Sequence, residues 1–515
     1  MPETLDKVLS ALPHRFQGAG GAVAVLRDGQ VMARHAWGYA DLERRIPFTA
    51  QTMFLICSIS KQFTCATTIL TTDLDRNPNV LDSQLAARLP KMAQRPTASL
   101  MAHNQSGLRD YWALTALAGS PVEAPFTEAQ ARRLTDRAET LHFQPGTRYS
   151  YCNHNFRVLG DLVAERAGAP LGELMRKHVF DRAGMPTARL NPDTSQVPGF
   201  TVGYEGSQEA GFRAAVNRVT WTGDAGVSAS LDDLIAWERH IDATRDNPES
   251  IHARLSVPVA FADGATAGYG WGLSRGHLHG RYIVGHGGGL RGWRSFRFYA
   301  PAERMSVVVL FNHMGDTRAA AAQVFAAALG EDAPPMPTGE KVGWGGKYID
   351  PETRLATRVD ALANGQVALH FAGHPEVAGP AADGWHEAGT LRLRPEGGKL
   401  RMIRGTDNID TLLDPVGGDA PMDIDGTYHS AEWGADITIA IAGGVPYAAC
   451  SGELGDGAMV PLIPYATDTW LMPCPRALDF SAPGDWTLTF RREAGRITGL
   501  RVGCWLARRI DYVRV

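Results

Sequence analysis

The chain carries Ile56-Cys57-Ser58-Ile59-Ser60-Lys61-Gln62-Phe63-Thr64-Cys65, a serine followed three residues later by a lysine where a helical pattern begins. On a helix this spacing puts the hydroxyl of Ser58 and the amine of Lys61 on one face, within reach of each other. A serine hydroxyl is a poor nucleophile until a neighbour removes its proton, and a desolvated lysine can be that neighbour. Only seven of the 51 basic residues are lysines, so Lys61 stands out against an arginine background. Cys57 is an alternative nucleophile, but only Ser58 keeps the i, i+3 register with Lys61. A chain of 515 residues contains a Ser-x-x-Lys by chance, so the pair needs company.

Two further stretches supply it. Pro145-Gly146-Thr147-Arg148-Tyr149-Ser150-Tyr151-Cys152-Asn153 is a turn ending in Tyr-x-Asn, with a helical pattern after it. In isolation it reads as a loop tyrosine with Asn153 capping the next helix. Gly285-His286-Gly287-Gly288-Gly289 follows the strand pattern Arg281-Tyr282-Ile283-Val284. Its glycines let a backbone or ligand approach closely, and alone it reads as a bulged strand with an ordinary histidine.

Taken in this order, the three elements resemble the serine β-lactamase and penicillin-binding-protein superfamily, with its SxxK, Tyr-x-Asn and Lys-Thr-Gly motifs. His103-Asn104-Gln105-Ser106-Gly107-Leu108 and Gly226 to Leu234 look familial too. The likeness tightens toward the bacterial D-aminopeptidases through Asn104 to Trp112, Leu290-Arg291-Gly292-Trp293-Arg294 and the closing segment Gly499 to Arg508. That resemblance implies a β-lactamase-like α+β or α/β catalytic domain, an antiparallel sheet with helices, followed by two small antiparallel β-barrel domains. It implies release of an N-terminal D-residue, small and D-alanine-like, from peptides, amides and esters through an acyl-enzyme, with no cofactor and no metal. Ser58 would be the nucleophile, Lys61 its proton acceptor and Tyr151 the donor to the leaving amine. His286 would organise Ser58 and Tyr151, and Asn153 would hold the acyl side chain. Gly288 and Gly289 would line the substrate site, with the N–H groups of Ser58 and Gly289 as an oxyanion hole worth about 3 kcal/mol per donor. A specificity loop at 475–485 would bring Asp479 to the substrate. A neutral histidine in the third motif is a poor anchor for a substrate carboxylate, whereas an aspartate suits an α-ammonium. The substrates expected are therefore small peptides or amino-acid amides with a free D-amino end. The alternatives are an esterase or DD-peptidase of the same fold, or a non-catalytic binding protein using the inherited pocket.

The rest of the chain fits this frame. Its length is more than three times a typical domain of roughly 150 residues. The catalytic unit is expected at 1–330, a Pro-rich linker at 331–341, and β-barrel domains at 342–418 and 419–515. Gly346-Lys347-Tyr348 matches Gly426-Thr427-Tyr428, and Thr390 to Leu400 matches Thr487 to Ile497, so the last two units read as a repeat. Helices are expected at 125–140, 156–168 and 231–243, and a hairpin turn at Arg27-Asp28-Gly29-Gln30. A net charge of −4 gives no electrostatic reason to bind nucleic acid or an anionic membrane. Six sparse cysteines form no CxxC pair and suit a reducing compartment. The N-terminal segment lacks the basic and apolar regions of a signal peptide, so a cytoplasmic location is expected, and the resemblance implies a homodimer. His277-Leu278-His279 lacks a third ligand at metal spacing.

Overall fold

A computed structural model describes residues 4–332, 339–372, 374–474 and 484–515. Its N-terminal unit is organised by one strand, β8 (Met305–Phe311), whose seven residues are all buried. Alternation along a strand sends successive side chains to opposite faces. Val307, Val309 and Phe311 meet Val8, Leu9, Leu12, Val324 and Phe325 of the terminal helices α1 (Leu5–Arg15) and α5 (Thr317–Leu329). Val308 and Leu310 face the larger core built on the intervening helices, among them α2 (Ser60–Thr72), α3 (Asn153–Ala167) and α4 (Leu231–Ala243).

Around β8 lie β1 (Gly20–Arg27), β2 (Gln30–Asp41), β3 (Ile46–Pro47), β4 (Tyr269–Gly270), β5 (Leu273–Leu278), β6 (Arg281–Leu290) and β7 (Trp293–Ala300). They form an eight-stranded sheet in the order β4-β5-β6-β7-β8-β1-β2-β3, antiparallel throughout. The first and last long strands are thus neighbours, and the helices fill the interval between them. The β1–β2 turn is closed by Arg27 opposite Gln30, with Asp28 and Gly29 both at positive φ, the conformation a two-residue hairpin requires. The helix expected at 125–140 is shorter, Glu128–Arg137, because Thr127 and Gln130 form a reciprocal capping box that fixes its start.

Buried between α4 and β7 is an ion pair that ties helix to sheet. Arg297 donates to both carboxylate oxygens of Glu238 at 2.6 Å, and both side chains are 0% exposed. Ser306 adds a third hydrogen bond to Glu238. Removing one partner strands a buried charge, so Glu238→Ala is expected to cost about 3–5 kcal/mol in denaturant unfolding.

The strands from Gly346–Ile349 to Ile409–Pro415 close into an eight-stranded barrel. The following unit keeps the repeat. Tyr348 and Tyr428 are each the third residue of a first strand, pair with a last strand, and donate to a carbonyl four residues upstream, Trp344 and Ile424. The matching hairpins close at Glu396 opposite Lys399 and at Glu493 opposite Arg496. The second unit departs from the expected barrel, however. Among the described residues it is a ten-stranded sheet, and one edge, Gly455–Asp456, is covered by the N-terminal unit. Leu454 N–H donates to Ala118, and the Gly455 carbonyl lies against Gly119. Covering an edge with another element removes the need to close it.

Candidate active site

Cys57–Ile59 forms a single 3₁₀ turn directly before α2, so Ser58 precedes the helix instead of lying within it. Cys57 adopts φ 54°, and its buried thiol donates to the Leu55 carbonyl, leaving Ser58 to face the cleft. Lys61 is 0% exposed, and its Nζ donates to Ser58 Oγ at 3.0 Å, Asn153 Oδ1 at 2.8 Å and the Asp224 carbonyl at 2.7 Å. Burial lowers its pKa to about 8, against the opposing fields of Asp224 and Asp110. An amine with that pKa is neutral in an appreciable fraction of molecules near neutrality and can accept the Ser58 proton.

Tyr151 shares a hydrogen bond with Ser58, and its ring lies 4.9 Å from Lys61 Nζ. Burial holds the phenol far above its ordinary pKa, so it stays protonated and available as a donor. Asn153 is the first residue of α3 rather than its cap. Its Oδ1 accepts from Lys61, and its Nδ2 donates to Asp110 at 2.9 Å.

His286 sits on β6, which pairs with β7 in unbroken register, so the glycine run is regular strand and not a bulge. Its Nδ1 faces the Gly287 carbonyl, and its Nε2 lies 3.1 Å from the Tyr269 hydroxyl. Burial first, and Lys61 second, push its pKa down to about 3, so the ring is neutral. The ring centroid is 6.1 Å from that of Tyr151. Gly288 is required by packing: a Cβ there would meet the Ile56 carbonyl at 2.4 Å and Ser295 Oγ at 2.2 Å. That close approach presses β6 against the turn bearing Ser58. Beyond Gly285, β5 no longer pairs with β6, and residues 286–290 line the cleft.

The cleft measures about 350 Å³ and brings together Ser58, Tyr151, Asn153, His286, Gly288 and Gly289. Its walls include Trp112, Trp221 and Leu290, with Trp505 and Leu506 from the last unit.

The chain matches the Beta-lactamase family model over residues 5–331 and the model for D-aminopeptidase, domain B, over residues 338–513. It is 49% identical to the D-aminopeptidase of Gluconobacter oxydans, covering 99% of this chain and 98% of that one. The chain belongs to the D-aminopeptidase family. The D-aminopeptidase of Brucella ovis is 44% identical, with 99% of each chain covered. Among solved structures, the D-amino acid amidase of Ochrobactrum anthropi SV3 complexed with D-phenylalanine superposes with a TM-score of 0.51 at 16% identity, covering 63% of this chain and 98% of that one. The octameric penicillin-binding protein homologue of Pyrococcus abyssi gives 0.52 at 20% identity, covering 80% and 99%. These two likenesses speak for the fold. Membership in the D-aminopeptidase family makes the protein a serine hydrolase on the β-lactamase fold.

Of the site residues expected in this family member, Asp479 lies outside the described residues, as does most of the loop 475–485. The sequence reading missed several groups that the fold delivers to the site. Asp110 and Asp224 flank Lys61, and Tyr269 faces His286. Asp110 falls inside the familial stretch Asn104 to Trp112, and Trp505 and Leu506 inside the closing segment, so position alone could have flagged them. Tyr269 and Asp224 carried no such signal. Among the described residues no cluster of three or more His, Cys, Asp or Glu could hold a metal, and no helix is long and apolar enough to cross a membrane.

Proposed function

We propose that this protein hydrolyses peptides, amides and esters bearing a free N-terminal D-residue, releasing a small, D-alanine-like amino acid. The observation that carries the reading is a buried lysine at 3.0 Å from a serine hydroxyl that lines the cleft. Neutral Lys61 takes the Ser58 proton as Oγ attacks the scissile carbonyl. The tetrahedral oxyanion is stabilised by the N–H groups of Ser58 and Gly289. Tyr151 gives its proton to the departing amine and is reprotonated by the Lys61 ammonium, which carries the proton taken from Ser58. Water then attacks the acyl-enzyme with the same groups acting in reverse, which returns the Ser58 hydroxyl and frees the amino acid.

Beyond Gly285 no strand among the described residues pairs with the β5 side of β6, and this edge offers backbone donors and acceptors to an extended substrate. The apolar walls leave room for a small side chain. Asp479 is the proposed partner of the substrate ammonium, by its place in the family's loop. D-selectivity is supported by the names that the D-aminopeptidase relatives bear. The six cysteines, all buried, are compatible with work in a reducing, cytoplasmic compartment, and we include a homodimer in the proposal.

A panel of D- and L-aminoacyl p-nitroanilides tests the reading. D-alanyl and D-seryl anilides should release nitroaniline while their L-counterparts do not. Equal rates on both series would return the protein to the esterase reading.

A further inference from the structure

Asp110 lies at the N-terminus of the helix Tyr111–Leu117 and is 0% exposed. Its Oδ1 accepts from the Trp112 N–H at 2.7 Å, an ordinary cap. Its Oδ2 has a different task. It accepts both the main-chain N–H of Asn153 and the Asn153 side-chain Nδ2, the latter at 2.9 Å. With Nδ2 held there, Oδ1 of Asn153 is aimed at Lys61 Nζ, 2.8 Å away. The chain of contacts therefore runs from Asp110 through Asn153 to Lys61 and on to Ser58.

Asp110 is itself fixed from outside the catalytic unit. Its N–H donates to the Leu506 carbonyl at 3.1 Å, and the neighbouring Arg109 donates to the carbonyls of Arg508 and Arg509. The last unit thus grips the loop that orients the catalytic lysine.

We propose that Asp110 is a positioning residue for this hydrolase, fixing the amide of Asn153 so that Lys61 is held over Ser58. The inference rests on the Ser58–Lys61 reading and deepens it. A carboxylate suits the place because it accepts from two N–H groups of one residue without presenting a donor of its own. An asparagine would cap the helix equally well but must turn an N–H₂ toward a donor or lose one of the bonds. Misplacing a catalytic group by about 1 Å costs on the order of 100-fold.

The experiment uses Asp110→Asn and Asp110→Ser in the full chain, because both retain capping ability. Acylation of Ser58 is followed with p-nitrophenyl acetate as well as with D-alanyl p-nitroanilide. The ester requires Ser58 and Lys61 but no D-amino end. If only the anilide fails on the parent protein, the substrate reading falls and the Asp110 test still reads. Both variants should keep the parent's circular dichroism and lose about 10- to 100-fold in kcat on the ester, with KM nearly unchanged. Combining Asp110→Asn with Asn153→Ala should cost no more than Asn153→Ala alone, since both act on one chain of contacts.

The pH profile gives a reading that a purely structural residue would not move. The groups that feel Asp110 are Lys61 on α2, Tyr151 and Cys152 before α3, Tyr111 on its own helix, and Asp224 before the strand Val227–Ala229. Of these, Lys61 is the required base, and the Asp110 charge favours its ammonium. Neutralising Asp110 should therefore move the acid limb of kcat/KM toward lower pH. A kcat within about two-fold of the parent, additive losses with Asn153→Ala, or an unmoved acid limb would each overturn the assignment.

Discussion

Ser58→Ala and Lys61→Met are each expected to lower kcat on D-alanyl p-nitroanilide by on the order of 10⁴-fold or more, and the double variant to be no slower than the worse single one. The non-additivity follows from the geometry: the hydroxyl at 3.0 Å from the amine is useless without it, and in acylation the amine's task is to take the proton of that hydroxyl. The pH dependence is set by two groups of opposite demand. Lys61 must be neutral, and with its pKa lowered to about 8 that fraction falls away as the pH drops below 8. The substrate must be an ammonium, and an α-amino group with a pKa of about 8 loses its charge as the pH rises above it. The product of the two fractions is a bell in kcat/KM with its maximum near pH 8. On p-nitrophenyl acetate, which has no amine, the alkaline limb should vanish and the acid limb remain. Stopped-flow acylation across pH 6 to 10 on both substrates measures this. An acid limb near the ordinary lysine pKa of about 10.4 would show that burial does not prepare Lys61 as a base.

How much of this was legible in the sequence depended on whether a feature was local. The Ser58–Lys61 pair and the Asp28-Gly29 turn are consequences of short-range spacing, and the structure realises them as adjacent atoms. The repeat in the last two units was also visible, because each copy carries its own tyrosine and hairpin. Its closure was not: whether a sheet becomes a barrel depends on what covers its edge, and Gly119 with Ala118 covers one here from more than 300 residues upstream. The site residues that were missed share that character. Asp110 meets Asn153, and Tyr269 meets His286, only after the helices between the first and last strands have packed. His286 illustrates the limit of assigning roles by motif. It lines the cleft, yet its hydrogen bonds run to Tyr269 and Gly287, and its uncharged imidazole packs 6.1 Å from the Tyr151 ring.

That uncharged imidazole gives the second large prediction its direction. A substrate carboxylate entering this cleft would find a histidine with a pKa near 3 in place of a permanent cation, so the third motif offers an anion little electrostatic support. A substrate ammonium is different, because the proposed function pairs it with Asp479. Such a charge-assisted contact in a partly dry pocket is worth on the order of 2–4 kcal/mol, about 30- to 1,000-fold in kcat/KM. N-acetyl-D-alanyl p-nitroanilide should therefore be turned over slower than D-alanyl p-nitroanilide by that factor. Asp479→Asn should bring the two substrates together, slowing the free amine and leaving the acetylated compound nearly unchanged. The pairing of substrate change with residue change matters, because acetylation alone also adds bulk to a cleft of about 350 Å³. If the acetylated substrate is slow on the parent and equally slow relative to the amine on Asp479→Asn, crowding is the cause and the aspartate has no part in it. If acetylation changes nothing on the parent, the protein does not read a free amino end at all, and an esterase mechanism on the same Ser58–Lys61 pair accounts for the site.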